Sequence, residues 1–75
     1  MPFNPDRMGA MLRGYRAQRR LTQKEVADAI DTSESTIVNY ENGKGGMSYA
    51  TACKLADLYG VTLDELGGRT AHQAV

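Results

Sequence analysis

The chain has 75 residues, a formal net charge of zero and one cysteine, Cys53. This length allows a single small domain, and a lone cysteine excludes an internal disulfide, so packing must hold the fold. No apolar run approaches the roughly 20 residues of a membrane span, and no signal-peptide core opens the sequence, so we expect a cytoplasmic protein.

The first helix is predicted to follow an irregular, flexible arm over residues 1–5. Asp6 is expected to cap this helix, which then runs to about Arg19. Its inner face is expected to carry Met8, Met11, Leu12 and Tyr15. Gly9 and Gly14 each lower its helix propensity by about 1 kcal/mol relative to alanine, so tertiary packing has to hold it.

The second helix is predicted to begin after Thr22, an N-cap residue. Glu25 lies three positions later and completes a capping box. The apolar residues Val26, Ala27 and Ile30 then follow the spacing of one buried helical stripe.

The third helix is predicted to begin after Ser33 and to end at Asn42 and Gly43, where glycine adopts left-handed backbone. Its buried face is expected to carry Ile37, Tyr40 and the stem of Glu41. Because so few residues separate the second and third helices, the two must cross steeply and form a helix-turn-helix. The outer face of the third helix then points away from the body, where a DNA major groove can receive it.

A flexible link leads to a fourth helix that is capped by Ser48 and stopped by Gly60. Its inner face is expected to carry Tyr49, Ala52, Leu55, Ala56 and Tyr59. Thr62 and Glu65 form a second capping box, which opens a short fifth helix. The sequence therefore predicts an all-α bundle of five short helices over residues 6–66, followed by a flexible tail over residues 67–75.

These patterns together resemble the lambda-repressor-like helix-turn-helix family, which includes phage repressors, Cro proteins and Xre-type bacterial regulators. The resemblance runs from about Met8 to Leu66 and is carried by RxxRRLTQKEVA, STIVNYENGK and LADLYGVTLDEL. It implies sequence-specific binding of double-stranded DNA by a transcriptional regulator, either a repressor or a controller, that reads the major groove with helix 34–42.

The chain departs from the family pattern in two places. Asp31-Thr32-Ser33 stands where many members have Gly-Val-Ser, although aspartate tolerates left-handed backbone better than most residues. In addition, Asp28, Asp31 and Glu34 lie near the expected path of the DNA phosphates. The net charge of zero also counts against strong non-specific binding to nucleic acid.

The side chains opposite the buried stripe of the third helix are predicted to contact bases. At about 100° per residue, this set is Glu34, Ser35, Thr36, Val38 and Asn39. Asn39 can pair with an adenine, Val38 can meet a thymine methyl group, and Glu34 can accept from a cytosine amino group. The alternative is an ordinary polar face exposed to solvent.

The resemblance also implies phosphate contacts from Gln23, Asn42 and Lys44. Arg13 and Arg20, in the basic N-terminal part, are further candidates. Such contacts position a protein on DNA and carry no sequence information. The alternatives are an ordinary first-turn residue for Gln23 and a plain helix cap and linker for Asn42 and Lys44.

One structural ion pair is implied by the family resemblance, between Arg16 in the first helix and Glu41 in the third. We expect this pair to be bidentate and partly buried, and to fix the recognition helix against the first helix.

A single domain of this kind presents one helix to one half-site, so we expect a homodimer on a near-palindromic operator with half-sites about 10 base pairs apart. By analogy with family members, Leu58, Leu63 and the Tyr59–Leu66 region are the candidate dimer surface. The alternative is that Tyr59 and Leu63 belong to the core.

The rival function is a protein-binding module, such as an antitoxin-like or adaptor domain that keeps the fold. Catalysis is not expected, because His72 is the only histidine and Cys53 suits a semi-buried position in a helix. Lys44-Gly45-Gly46 is not a phosphate-binding loop, since no strand precedes it. We expect no cofactor and no metal.

Overall fold

The computed structural model describes residues 5–67, and this part of the chain consists of five α-helices and connecting turns. The helices are α1 (Pro5–Gln18), α2 (Gln23–Ala29), α3 (Glu34–Glu41), α4 (Tyr49–Tyr59) and α5 (Leu63–Leu66). The predicted all-α, five-helix architecture is therefore confirmed. The predicted arm other than Pro5, the predicted tail after Gly67, and His72 lie outside the described residues. Within residues 5–67, no helix is both long and apolar enough to cross a membrane.

The start of α1 differs from the prediction. The helix already includes Pro5, and Asp6 lies in its first turn instead of capping it. Proline suits the first helical position because its φ is preset and it has no N–H to leave unpaired. A carboxylate in the first turn also interacts favourably with the helix dipole, so Asp6 stabilises the helix from inside it.

The predicted N-caps of the other four helices are confirmed. Thr22 Oγ1 accepts from the Glu25 N–H at 3.0 Å, and the Thr22 N–H donates to the Glu25 carboxylate at 2.8 Å. Thr62 and Glu65 form the same reciprocal pair ahead of α5. Ser33 and Ser48 accept from the third backbone N–H beyond them, at 3.3 and 3.1 Å.

Four helices are followed, one or two positions after their last residue, by a residue with left-handed backbone. These residues are Arg20 (φ +55°), Asp31 (φ +59°), Gly43 (φ +74°) and Gly60 (φ +68°). After each, the next N–H donates to the carbonyl five residues earlier, at 2.8 to 3.2 Å, which is the Schellman arrangement. The left-handed turn predicted to be tolerable at Asp31 does form. Arg20 adopts the same conformation, which the sequence did not signal.

The core lies where the five helices meet. Its buried apolar residues are Met8, Leu12, Val26, Ala27, Ile30, Ile37, Leu55, Ala56, Tyr59 and Leu66. The structure therefore places Tyr59 and Leu66 in the chain's own core and removes them from the predicted dimer surface. Leu63, by contrast, is 37% exposed.

Two residues predicted to face inward lie outside this core. Met11 is half-exposed and lines a shallow groove on the outer side of α1 with Ala10 and Gly14. It lies about 100° around the helix from Leu12, at the edge of the buried stripe. Tyr49 is 76% exposed; it is the first residue of α4 and directly follows the link, most of which is exposed. A hydrogen bond with Cys53 is the main cause that raises the pKa of Tyr49.

The C-terminal end of α1 is fastened to α4 and α5 by an aromatic cluster. The rings of Tyr15 and Tyr59 lie 5.8 Å apart, and the Tyr15 hydroxyl donates to the Glu65 carbonyl at 2.9 Å. The Arg19 guanidinium lies 5.4 Å from the Tyr59 ring centre and donates to the Tyr59 carbonyl. This cluster closes the bundle on the side of α1 that carries Tyr15, and α3 packs separately against α1 and α2.

Candidate nucleic-acid interface

The orientation of α3 is set by the two residues that it buries. Ile37 and Glu41 lie one turn apart and are each 2% exposed. Since they occupy one stripe of the helix, the opposite stripe faces solvent. Ser35 and Asn39 lie on that outer stripe, one turn apart, and both are exposed.

The five residues predicted to contact bases fall into two groups. Glu34, Ser35 and Asn39 are exposed, whereas Thr36 and Val38 are half-buried at the flanks of the helix. The Ser33 hydroxyl lies 2.8 Å from the Thr36 hydroxyl and 3.2 Å from the Ser35 hydroxyl. Because hydroxyl groups can rotate and exchange partners, these side chains remain able to bind an incoming group.

Arg16 and Glu41 form a bidentate ion pair beneath this surface. Arg16 Nε donates to Glu41 Oε2 at 2.8 Å, and Arg16 Nη2 donates to Glu41 Oε1 at 3.1 Å. The remaining nitrogen, Nη1, donates to the Leu21 carbonyl at 3.0 Å. The hydrogen bonds that Arg16 donates to the Glu41 carboxylate are the main cause that raises the pKa of Arg16. The pair thus connects α1, the turn after it and the end of α3.

Gln23 joins the same carboxylate. Its Nε2 donates to Glu41 Oε1 at 3.1 Å, so one oxygen accepts from both Gln23 and Arg16. Gln23 was predicted to contact a phosphate and Glu41 to pair with Arg16, and a contact between the two was not predicted. No local pattern indicates it, since the residues are 18 positions apart and meet only because α2 crosses α3.

The other residues predicted to contact phosphates are all exposed. Asn42 caps the C-terminus of α3, and Lys44 follows it in the Schellman turn. Arg20 lies in the turn between α1 and α2. Arg13 lies in α1, one turn after Gly9, which packs against the main chain at the end of α3. These side chains are accessible without any change in the fold.

The acidic residues noted in the sequence are also exposed. Asp28, Asp31 and Glu34 all face solvent near the two crossing helices. Lys24 Nζ lies 3.8 Å from Asp28 Oδ2 and offsets part of the negative charge of these residues. The surface therefore carries charges of both signs, which weakens its attraction for a polyanion compared with a uniformly basic surface.

Comparison with known proteins identifies relatives for most of the chain. Residues 7–67 match the protein family described as "Helix-turn-helix domain". The chain is 40% identical over 55 residues to the cryptic phage CTXphi transcriptional repressor RstR of Vibrio cholerae, a match that covers 73% of this chain and 50% of RstR. It therefore spans half the length of that relative. It is also 36% identical over 55 residues to an uncharacterized HTH-type transcriptional regulator of Methanocaldococcus jannaschii, covering 73% of this chain and 83% of that protein.

Among solved structures, the restriction-modification controller protein C.AhdI from Aeromonas hydrophila is similar to this chain. The two superpose with a TM-score of 0.76 at 26% sequence identity, over 81% of this chain and 92% of that protein. This similarity agrees with the five-helix arrangement described above.

Proposed function

Because the chain belongs to the helix-turn-helix domain family, we propose that it regulates transcription by binding double-stranded DNA sequence-specifically, with α3 in the major groove. The supporting observation is the pair Ser35 and Asn39, which project together from a helix whose opposite stripe is buried. A helix held in this way can enter a groove about 12 Å wide.

The exposed side chains of α3 provide the chemistry for reading bases. The Asn39 amide both donates and accepts, as the edge of an adenine requires. Ser35 can bond either kind of group, and Glu34 can accept from a cytosine amino group. Val38 and Thr36, at the flanks of the helix, complete the proposed set with contacts to thymine methyl groups and neighbouring bases.

Phosphate contacts are proposed for residues on either side of α3. Asn42 and Lys44 lie at its C-terminal end, and Gln23 lies at the start of α2. Arg13 and Arg20 extend this set along α1 and the turn after it. Because only three of these five side chains are cationic, we expect a moderate dependence of affinity on salt, with a log–log slope of about −0.9 per neutralised phosphate.

A homodimer on a near-palindromic operator is part of the proposal. One α3 reads only one half-site, and two copies would read half-sites about 10 base pairs apart. Within the predicted dimer surface, Leu58 is half-buried and Leu63 is exposed, so both leucines can contribute to such a contact. A cytoplasmic location suits this role, because the operator would be found there.

The test is selection of bound duplexes from a random library, followed by binding measurements with variants. Asn39→Ala and Ser35→Ala should each lose about 1–3 kcal/mol of discrimination at one or two base pairs while keeping the wild-type melting temperature. Gln18→Ala, on the outer side of α1, is the matched control and should leave base preference unchanged. A wild-type chain that binds no duplex at low salt would contradict the proposal.

The exposed acidic residues favour a second candidate, a protein-binding module of the antitoxin or adaptor type. Asp28, Asp31 and Glu34 would then face a basic partner protein in place of DNA. Reversing the charge with Asp28→Lys separates the two functions. It should strengthen binding to DNA and weaken binding to a basic protein partner.

A further inference from the structure

The carboxylate of Glu41 bonds more groups than an ion pair requires. It accepts two hydrogen bonds from Arg16 and a third from Gln23 Nε2 at 3.1 Å. Glu41 is 2% exposed, whereas Gln23 is half-buried, so the contact runs from the interior to a residue at the surface. The carboxylate thus acts on a group that a ligand can reach.

An ionised carboxylate only accepts hydrogen bonds, so it determines which end of a neighbouring amide group faces it. Ionised Glu41 has no hydrogen to donate, so Gln23 must turn its NH₂ group, and not its oxygen, toward it. One N–H of that group is then occupied, and the second diverges from it by about 120° in the amide plane. Without Glu41, the amide oxygen and nitrogen could exchange places by rotation of the side chain.

The same carboxylate also holds the end of the recognition helix. Glu41 is the last residue of α3, and Gln23 is the first residue of α2. Negative charge at a helix C-terminus is unfavourable, and Arg16, in the last turn of α1, supplies the compensating cation. The network therefore sets the position of the Gln23 amide relative to the side chains of α3.

We propose that Glu41 is a positioning residue for DNA binding, which orients the Gln23 amide so that its second N–H donates to a backbone phosphate. This role rests on the proposed function. In this role the buried carboxylate does more than hold α1 to α3. It also fixes the position of one phosphate contact relative to the bases that α3 reads.

The first test is a double-variant cycle with Gln23→Ala and Glu41→Gln, using the duplex that the wild-type chain selects from a random library. Glu41→Gln keeps the shape of the side chain but places an NH₂ group opposite the donors of Arg16 or Gln23. In the Glu41 background, Gln23→Ala should weaken binding about tenfold, the expected loss for a hydrogen bond to a charged group. In the Glu41→Gln background it should weaken binding by no more than about threefold, since coupled residues are not additive.

The salt dependence provides an internal control for this cycle. A neutral amide displaces no counterions, so Gln23→Ala should leave the slope of log affinity against log salt unchanged. Lys44→Ala should instead make this negative slope shallower by about 0.9. Equal losses from Gln23→Ala in both backgrounds would overturn the positioning role and leave DNA binding intact. A wild-type chain that binds no duplex would overturn the proposed function and this role together.

A second measurement does not depend on the stability of the Glu41→Gln variant. In the NMR spectrum of the wild-type chain, the two Nε2 protons of Gln23 should differ. One should exchange slowly with solvent in the free protein, and the other should shift when the selected duplex is added. Two protons that exchange equally fast, or a pair that the duplex leaves unchanged, would refute the assignment.

Discussion

Gly9 of α1 lies directly against the main chain of Glu41 in α3. A Cβ atom at Gly9 would lie 2.8 Å from the Glu41 carbonyl carbon, and closer still to its oxygen. Arg16 lies two turns later on the same side of α1, and its guanidinium reaches the Glu41 carboxylate at 2.8 Å. The close approach at Gly9 and the ion pair therefore hold the same two helices together at successive points.

The close contact between Gly9 and the Glu41 main chain predicts opposite effects of alanine at two glycines of α1. Gly9→Ala should destabilise the chain by about 1–3 kcal/mol, because the methyl group meets backbone that cannot move aside easily. Gly14→Ala should stabilise it by up to about 1 kcal/mol, since nothing lies within 4 Å of a Cβ atom there. Chemical denaturation of the two variants checks both signs. Equal effects would show that helix propensity, and not the contact with Glu41, governs both positions.

The buried ion pair predicts a large effect of removing one partner. Glu41→Ala should lower the free energy of unfolding by about 3 kcal/mol, because it leaves the Arg16 guanidinium without its counterion. Asp57→Ala changes an exposed carboxylate in α4 and should stay within about 0.5 kcal/mol of the wild type. Thermal denaturation compares the two. A melting temperature for Glu41→Ala that matches the Asp57→Ala control would exclude a buried pair.

The two non-glycine residues with left-handed backbone predict stabilising substitutions. Arg20→Gly and Asp31→Gly should each raise the stability by up to about 1 kcal/mol, since glycine lacks the Cβ that makes this backbone costly. The gain should be larger at Arg20, because aspartate tolerates the conformation better. Arg13→Gly, within the regular part of α1, should instead cost about 1 kcal/mol. Urea denaturation of the three variants tests the sign at each position.

Titration of the buried Tyr59 hydroxyl should make the folded chain less stable at alkaline pH. Burial, followed by the negative charge of Glu41, raises the pKa of its hydroxyl from 10.0 to about 12. The folded chain therefore holds this proton to higher pH than the unfolded chain does. Its contribution is fully present below pH 10 and disappears as the pH rises toward 12. Melting temperatures measured across this range should fall less steeply for Tyr59→Phe than for the wild type. An equally steep fall in the variant would assign the effect to other groups.

Local sequence signals were sufficient for the boundaries of most helices. Thr22, Ser33, Ser48 and Thr62 bond N–H groups only three residues away, so the spacing in the sequence already contains the interaction. Gly43 and Gly60 end their helices for an equally local reason, because they adopt left-handed backbone without strain. The start of α1 was predicted two residues late, since Asp6 was expected to cap the helix and instead lies in its first turn after Pro5.

The outer stripe of α3 also follows from the sequence. Once Ile37 and Glu41 are taken as buried, helical geometry places Ser35 and Asn39 on the opposite side, and both are exposed in the structure. This inference needs only the period of one helix and the identity of its apolar face. The bases that these side chains contact remain a prediction.

Contacts between residues far apart in the chain depended on how the helices cross. The hydrogen bond from Gln23 to Glu41 and the packing of Gly9 on Glu41 exist because α1 and α2 both pack on α3. The burial of Tyr59 and Leu66 and the exposure of Tyr49 likewise depend on which neighbours cover each turn. Periodicity identifies the face of a helix, but it does not give the angle or the distance at which another helix meets that face. Hence the helices and their caps can be read from short-range spacing, whereas the network around Glu41 appears only when the packed bundle brings its members together.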